Sequence, residues 1–176
     1  MRKVYLVALV TTTLVLAMAS PAAAVWIRDP TDTPGRMDIT WIGGNNDEVN
    51  ALIKVHVKTR WDYRCRFLAP DSPNRVWLLI DVGRDGDIDV IGRFMCRKGH
   101  AFRGGWFIRL SNGSRFGASH PGPDLLVVNI GWEGIPGDQS RNHGSIAART
   151  RDGQSPPCIG LPCRDRGPDR GWLSVW

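Results

Sequence analysis

Glycine and proline interrupt this chain so often that no window holds apolar residues at i, i+3, i+4 and i+7 over three helical turns. Twenty glycines and twelve prolines are spread through 176 residues, and the runs between them alternate with the period of two that marks half-buried strands. An all-β domain follows. Turn signals at this spacing predict about seven or eight short strands in a two-sheet antiparallel sandwich, jelly-roll-like, with a barrel as the alternative.

The clearest alternation runs from Asn50 to Trp61, where Ile53, Val55, Val57, Thr59 and Trp61 share one face and Lys54, His56 and Lys58 the other. Arg75 to Phe94 reads as strand, turn, strand, with the turn centred on Asp85-Gly86, because Asp-Gly accepts the positive φ of a tight hairpin. Its first arm places Val76, Leu78, Ile80 and Val82 opposite Arg75, Trp77, Leu79 and Asp81. With both faces largely apolar, it is expected to be an interior strand covered on each side. Asp38 to Ile42 predicts a short strand closed by Gly43-Gly44-Asn45-Asn46, and Asn112-Gly113 predicts a hairpin between Trp106–Leu110 and Arg115–Ala118. Asp124–Trp132 and Ser145–Thr150 supply two more strands.

Arg2 and Lys3, an apolar segment from Val4 to Ala19 and then Ala22-Ala23-Ala24 form the pattern of a cleaved secretory signal, so residues 1–24 are assigned to export. Residues 25–37 read as an extended lead-in, 38–151 as the β domain, and 152–176 as a Pro/Gly-rich tail whose end, Trp172 to Trp176, can dock as a last strand. No later apolar run is long enough to span a membrane. The expected product is a secreted monomer.

Cys65, Cys96, Cys158 and Cys163 are an even set in an exported chain and read as two disulfides. Three pairings are open; closeness in sequence favours Cys158 with Cys163, leaving Cys65 with Cys96. The rival, a zinc site, lacks a second matched pair or a nearby histidine. The net charge of +6 favours anionic surfaces such as cell-wall polymers, while the scatter of basic residues along the chain and the export signal argue against nucleic acid.

Metal chemistry points to Asp81, Asp85, Asp87 and Asp89, since calcium takes several hard oxygen ligands from a short loop. Against D-x-[DN]-x-[DN]-G-x₅-E, Asp81, Asp85 and Gly86 fit, whereas Gly83 and Gly92 replace expected ligands. The bland reading is a solvated turn. For ligand binding, Trp77 stands apart: Trp41, Trp61, Trp106 and Trp132 run in phase with core positions, but Trp77 faces away from Val76, Leu78 and Ile80. Catalysis has one candidate acid, Glu133, with no partner carboxylate placed by spacing to complete a glycosidase pair.

A strand ending in Asp81, an Asp-rich turn containing glycine and an immediate second strand resemble the hairpin of a group of uncharacterised secreted β-sandwich proteins common in actinobacteria. In those the turn reads D-x-D-x-D-G-x-x-D followed by a hydrophobic or aromatic residue. Asp81, Asp85, Gly86 and Asp89 match and Val90 follows, while Gly83 departs; the similarity runs from Asp38 to Phe94. More distantly the layout is similar to family 9 carbohydrate-binding and DOMON-like sandwiches, which implies sugar, haem or cell-surface ligands. The function expected is therefore a secreted non-catalytic module binding an extracellular glycan or protein, with a structural Ca²⁺. The alternatives are an extracellular hydrolase acting on polymers and a structural or inhibitory protein-interaction protein.

Overall fold

The computed structural model describes residues 24–60, 62–97, 105–136 and 144–175. The signal segment up to Ala23, Trp61, His100, His143 and Trp176 lie outside the described residues. Eleven strands and no α-helix occur among them: β1 (Val25–Arg28), β2 (Ile39–Asp47), β3 (Leu52–Thr59), β4 (Arg75–Val82), β5 (Val90–Cys96), β6 (Trp106–Leu110), β7 (Arg115–Gly122), β8 (Leu125–Gly131), β9 (Gly144–Asp152), β10 (Cys163–Gly167) and β11 (Leu173–Ser174). The all-β class is thus as expected, with more strands than the seven or eight predicted. No described helix is long and apolar enough to cross a membrane.

Every pairing is antiparallel, and the order is β1-β2-β3-β8-β7-β6-β5-β4-β9-β10, with β11 also on β9. One curled sheet results. The curl turns on β7, whose Arg115–Gly117 pairs with β6 while Ala118, Ser119 and Gly122 pair with β8. The register shift falls between Ser119 and Gly122, an interval that includes Pro121, which has no N–H to give to a ladder. Inside lies a single core in which Ile53, Val55, Val57 and Ile130 meet Leu78, Ile80, Phe94 and Ile108. The alternating residues of β3 and β4 fill it as their spacing predicts.

Four expectations are corrected. β2 does not stop at Ile42 but runs on through Gly43-Gly44-Asn45-Asn46. The glycines are close-approach positions rather than turn positions: a Cβ on Gly43 would sit 2.6 Å from the ring of Trp26, and one on Gly44 3.0 Å from Ile146. Trp41 leaves the core, 38% exposed, because a bulge between Ile39 and Trp41 shifts its phase. The lead-in and the tail are built into the sheet, supplying β1 and β10, which polar composition hid; the tail's end does dock, as β11. The Asp85-Gly86 hairpin is a wider loop, since β4 and β5 pair only up to Ile80 and Val90.

The disulfides are Cys65–Cys96 and Cys158–Cys163, and no cysteine is free. The first ties a 3-10 turn, Cys65–Phe67, to the end of β5; the second closes the approach to β10.

Candidate anion-binding face

β4 turns Val76, Leu78 and Ile80 into the core, so Arg75, Trp77, Leu79 and Asp81 share its outer face. β4 is interior in its sheet as expected, and its outer face is covered at Leu79 and Asp81 but only half-buried at Arg75 and Trp77. Register decides what surrounds Trp77, which is half-buried. It stands opposite Arg93 of β5 and Arg149 of β9. Arg93 faces Arg109 of β6, Arg109 faces Arg115 of β7, and Arg149 faces Arg166 of β10. Directly paired residues share a face, so a row forms across six strands: Arg115, Arg109, Arg93, Trp77, Arg149, Arg166. At the usual strand spacing it spans about 24 Å. A shorter row, Arg75, Arg151 and Arg164, lies beside it.

Like charges set directly opposite one another are destabilising, and here they repeat across the sheet on either side of Trp77. None of these eight arginines ion-pairs with a carboxylate among the described residues. Burial lowers the pKa of Arg75, with Arg93 and Arg151 adding to the effect and Asp71 opposing it. Burial also lowers that of Arg93, and of Arg166, where Arg149 adds and Asp29 and Asp169 oppose. Several guanidiniums are fixed by backbone carbonyls: Arg75 Nη1 donates to Asn74 O at 2.7 Å, Arg93 Nη2 to Pro70 O at 3.0 Å and Arg166 Nη2 to Gly171 O at 2.6 Å. The Nε atoms of Arg93 and Arg151 are buried with no acceptor. Planar forks held in place with donors unspent suit carboxylate, sulfate or phosphate groups.

The same face ends in a cleft of about 290 Å³ bordered by Asp81, Arg84, Asp85, Ser145 and Trp172. Arg166 lies over the Trp172 ring at 5.6 Å, joining the cleft to the arginine row. Asp81, 1% exposed, accepts from Gly86 N at 3.0 Å and Ser145 Oγ at 3.5 Å through Oδ2, and its Oδ1 has no donor. The other loop aspartates serve the backbone: Asp85 Oδ1 accepts from Asp87 N at 2.9 Å and Asp89 Oδ2 from Val82 N at 2.6 Å. Asp87 is exposed. Among the described residues, the groups of three acids whose oxygens lie within 4.8 Å of one another include none of these four.

Glu133 is exposed on a 3-10 turn, Trp132–Gly134, away from both the arginine row and the cleft lining. Trp106 and Trp132 are half-buried against the core. No family model matches the chain, and neither the curated proteins nor the solved structures yielded a match. The resemblance to secreted sandwiches therefore rests on the sequence pattern from Asp38 to Phe94 alone.

Sequence reading singled out Trp77 but missed the arginines around it. A partial signal exists in Arg149-x-Arg151 and Arg164-x-Arg166, whose spacing of two puts each pair on one strand face. Nothing along the chain announces that Arg93, Arg109 and Arg115 stand in the same row. That follows from cross-strand register.

Proposed function

We propose that this protein is an exported, non-catalytic binding module whose outer sheet face holds an acidic extracellular polymer, an anionic glycan with carboxylate or sulfate groups. The observation that carries this reading is the row of five arginines around Trp77, aligned by register and unpaired with carboxylates among the described residues. Guanidiniums take the anionic groups, and the indole offers an apolar face for a sugar ring. A row about 24 Å long fits an extended polymer rather than one small ion. The disulfides and the signal-like N-terminus support a destination outside the cytoplasm, where acidic glycans are met. We read the strands on either side of β7 as the two layers of a sandwich, one of which presents this face. The hydrolase alternative rests on Glu133 alone, for which spacing along the chain places no partner carboxylate.

The test is retention of the purified, oxidised protein on immobilised heparin and polygalacturonate, with neutral dextran as control. Retention on the acidic matrices, falling as salt rises and sharply reduced by Arg93→Gln with Arg149→Gln, is the expected result. Equal retention on dextran, or an unaffected variant, would sink the reading. Stronger binding of duplex DNA than of either glycan would move the partner to nucleic acid.

A further inference from the structure

The curl of the sheet brings β10 against β2 and the segment between β1 and β2, and this seam is lined with carboxylates. Asp29 follows β1, Asp32 and Asp38 lie on the connection into β2, Asp165 is central in β10, and Asp169 follows it. Oxygens of Asp29, Asp165 and Asp169 lie within 4.8 Å of one another, and so do those of Asp32, Asp38 and Asp165. Asp165 belongs to both sets. Three of the five are buried, with exposures of 2% for Asp29, 0% for Asp38 and 8% for Asp165.

Backbone amides use part of this acceptor capacity. Asp165 Oδ2 accepts from Ile39 N at 2.5 Å and Oδ1 from Arg166 N at 2.7 Å; Asp38 Oδ1 accepts from Thr33 N at 3.0 Å, and Asp29 Oδ1 from Asp169 N at 3.2 Å. The remaining oxygens of Asp29 and Asp38, Oδ2 in each, are buried with no donor at all. Leaving such an atom unpaired forfeits its hydration without replacement. Arg60 acts on Asp38, and Arg166 on Asp29 and Asp169, but no ion pair forms with any of the five among the described residues. Arg166 spends its guanidinium on the carbonyls of Pro168, Asp169 and Gly171. Burial, then the charges of Asp165 and Asp169, push Asp29 up to about 7. Burial also lifts Asp165 to about 6 and raises Asp38.

We propose that the seam of Asp29, Asp32, Asp38, Asp165 and Asp169 is a calcium-type divalent-cation site that fastens β10 to the N-terminal strands. The donor set is oxygen only, with no histidine or cysteine, which suits a hard cation and not zinc. The orphaned Oδ2 atoms of Asp29 and Asp38 are the ligands such an ion would satisfy, and Asp165 links the two sets. This site is distinct from the loop at Asp81 to Asp89, and Arg166 of the arginine row borders it.

The experiment is thermal unfolding of the purified, oxidised protein in EDTA and in millimolar Ca²⁺, with calorimetric titration of Ca²⁺ into the chelator-free protein. At one hundred times Kd the expected rise in midpoint is about 5 to 10 °C for a domain of this size. Asp29→Asn with Asp38→Asn abolishes the rise, and Asp85→Asn with Asp87→Asn preserves it. Should the buried pair fail to fold, the exposed Asp32→Asn and Asp169→Asn variants each weaken Ca²⁺ binding about tenfold by titration. Absence of any Ca²⁺ response in the parent protein overturns the site. So does a response that the seam variants keep or the loop variant loses.

Discussion

Asp152 closes β9 with its side chain turned inward, 2% exposed, and four donors converge on it. Its Oδ1 accepts from Gln154 N and Ser155 N, both at 3.0 Å, and its Oδ2 from Arg36 N at 2.7 Å and from the Ser155 hydroxyl. Burial by itself raises the pKa of this carboxyl, but the bonds from Ser155, Gln154 and Arg36 outweigh it and hold the group below its ordinary range. The folded value being the lower, its stabilisation is complete above the unfolded value of about 3.9 and is lost as the pH falls through the folded one. Asp152→Asn keeps the shape and loses the charge behind these bonds. It is expected to cost about 1.5 to 3 kcal/mol near neutral pH. Urea midpoints measured there and at progressively lower pH should converge with those of the parent protein in acid, and a gap that stays constant with pH would show that charge is not what Asp152 contributes.

Among the elements, the two disulfides differ most in what they constrain. Cys65–Cys96 closes a loop with a sequence separation of 31 and ties the 3-10 turn to β5, whereas Cys158–Cys163 spans a separation of 5 before β10. Loop-closure entropy then assigns about 3.7 kcal/mol to the first and about 2.2 kcal/mol to the second. Replacing both cysteines of each pair by serine should therefore lower the denaturation midpoint more for Cys65/Cys96, and the reverse order would place the stabilisation in the local structure around Pro157 and Pro162. The pairing that closeness in sequence favoured among three is the one formed, and β3, β4 and β8 were readable because apolar residues in phase announce a core face without help from the rest of the chain. The ends of the chain were not readable. β1 holds Val25 and Trp26, both exposed, and β10 alternates Arg164 and Arg166 with Asp165 and Gly167, so neither shows apolar alternation. What places them is tertiary: Trp26 needs the bare backbone of Gly43, and Asp165 takes the amide of Ile39. The acids of the seam were invisible for the same reason, being far apart until β10 returns to β2.

On the scale of the molecule, the charge surplus of +6 is less informative than its placement, since basic residues scattered in sequence become a continuous row once six strands come into register. Aligned like charges oppose folding, so the face that would bind an anion should also be a place where the free protein gives up stability. Arg109 tests this coupling because it is exposed, lies between Arg93 and Arg115, and makes no ion pair among the described residues. Arg109→Gln removes two repulsive pairings and is expected to stabilise the free protein by about 0.5 to 1 kcal/mol, a rise of about 1 to 4 °C in the unfolding midpoint. The same change should weaken heparin binding and flatten its salt dependence. Heparin added to the parent protein should raise its midpoint at low ionic strength and lose that effect as salt screens the row. Opposite signs for stability and binding in one variant are the decisive readout. If Arg109→Gln instead lowered both, the row would be a structural feature of the sheet, with its arginines contributing packing and carbonyl bonds rather than waiting for an anionic partner.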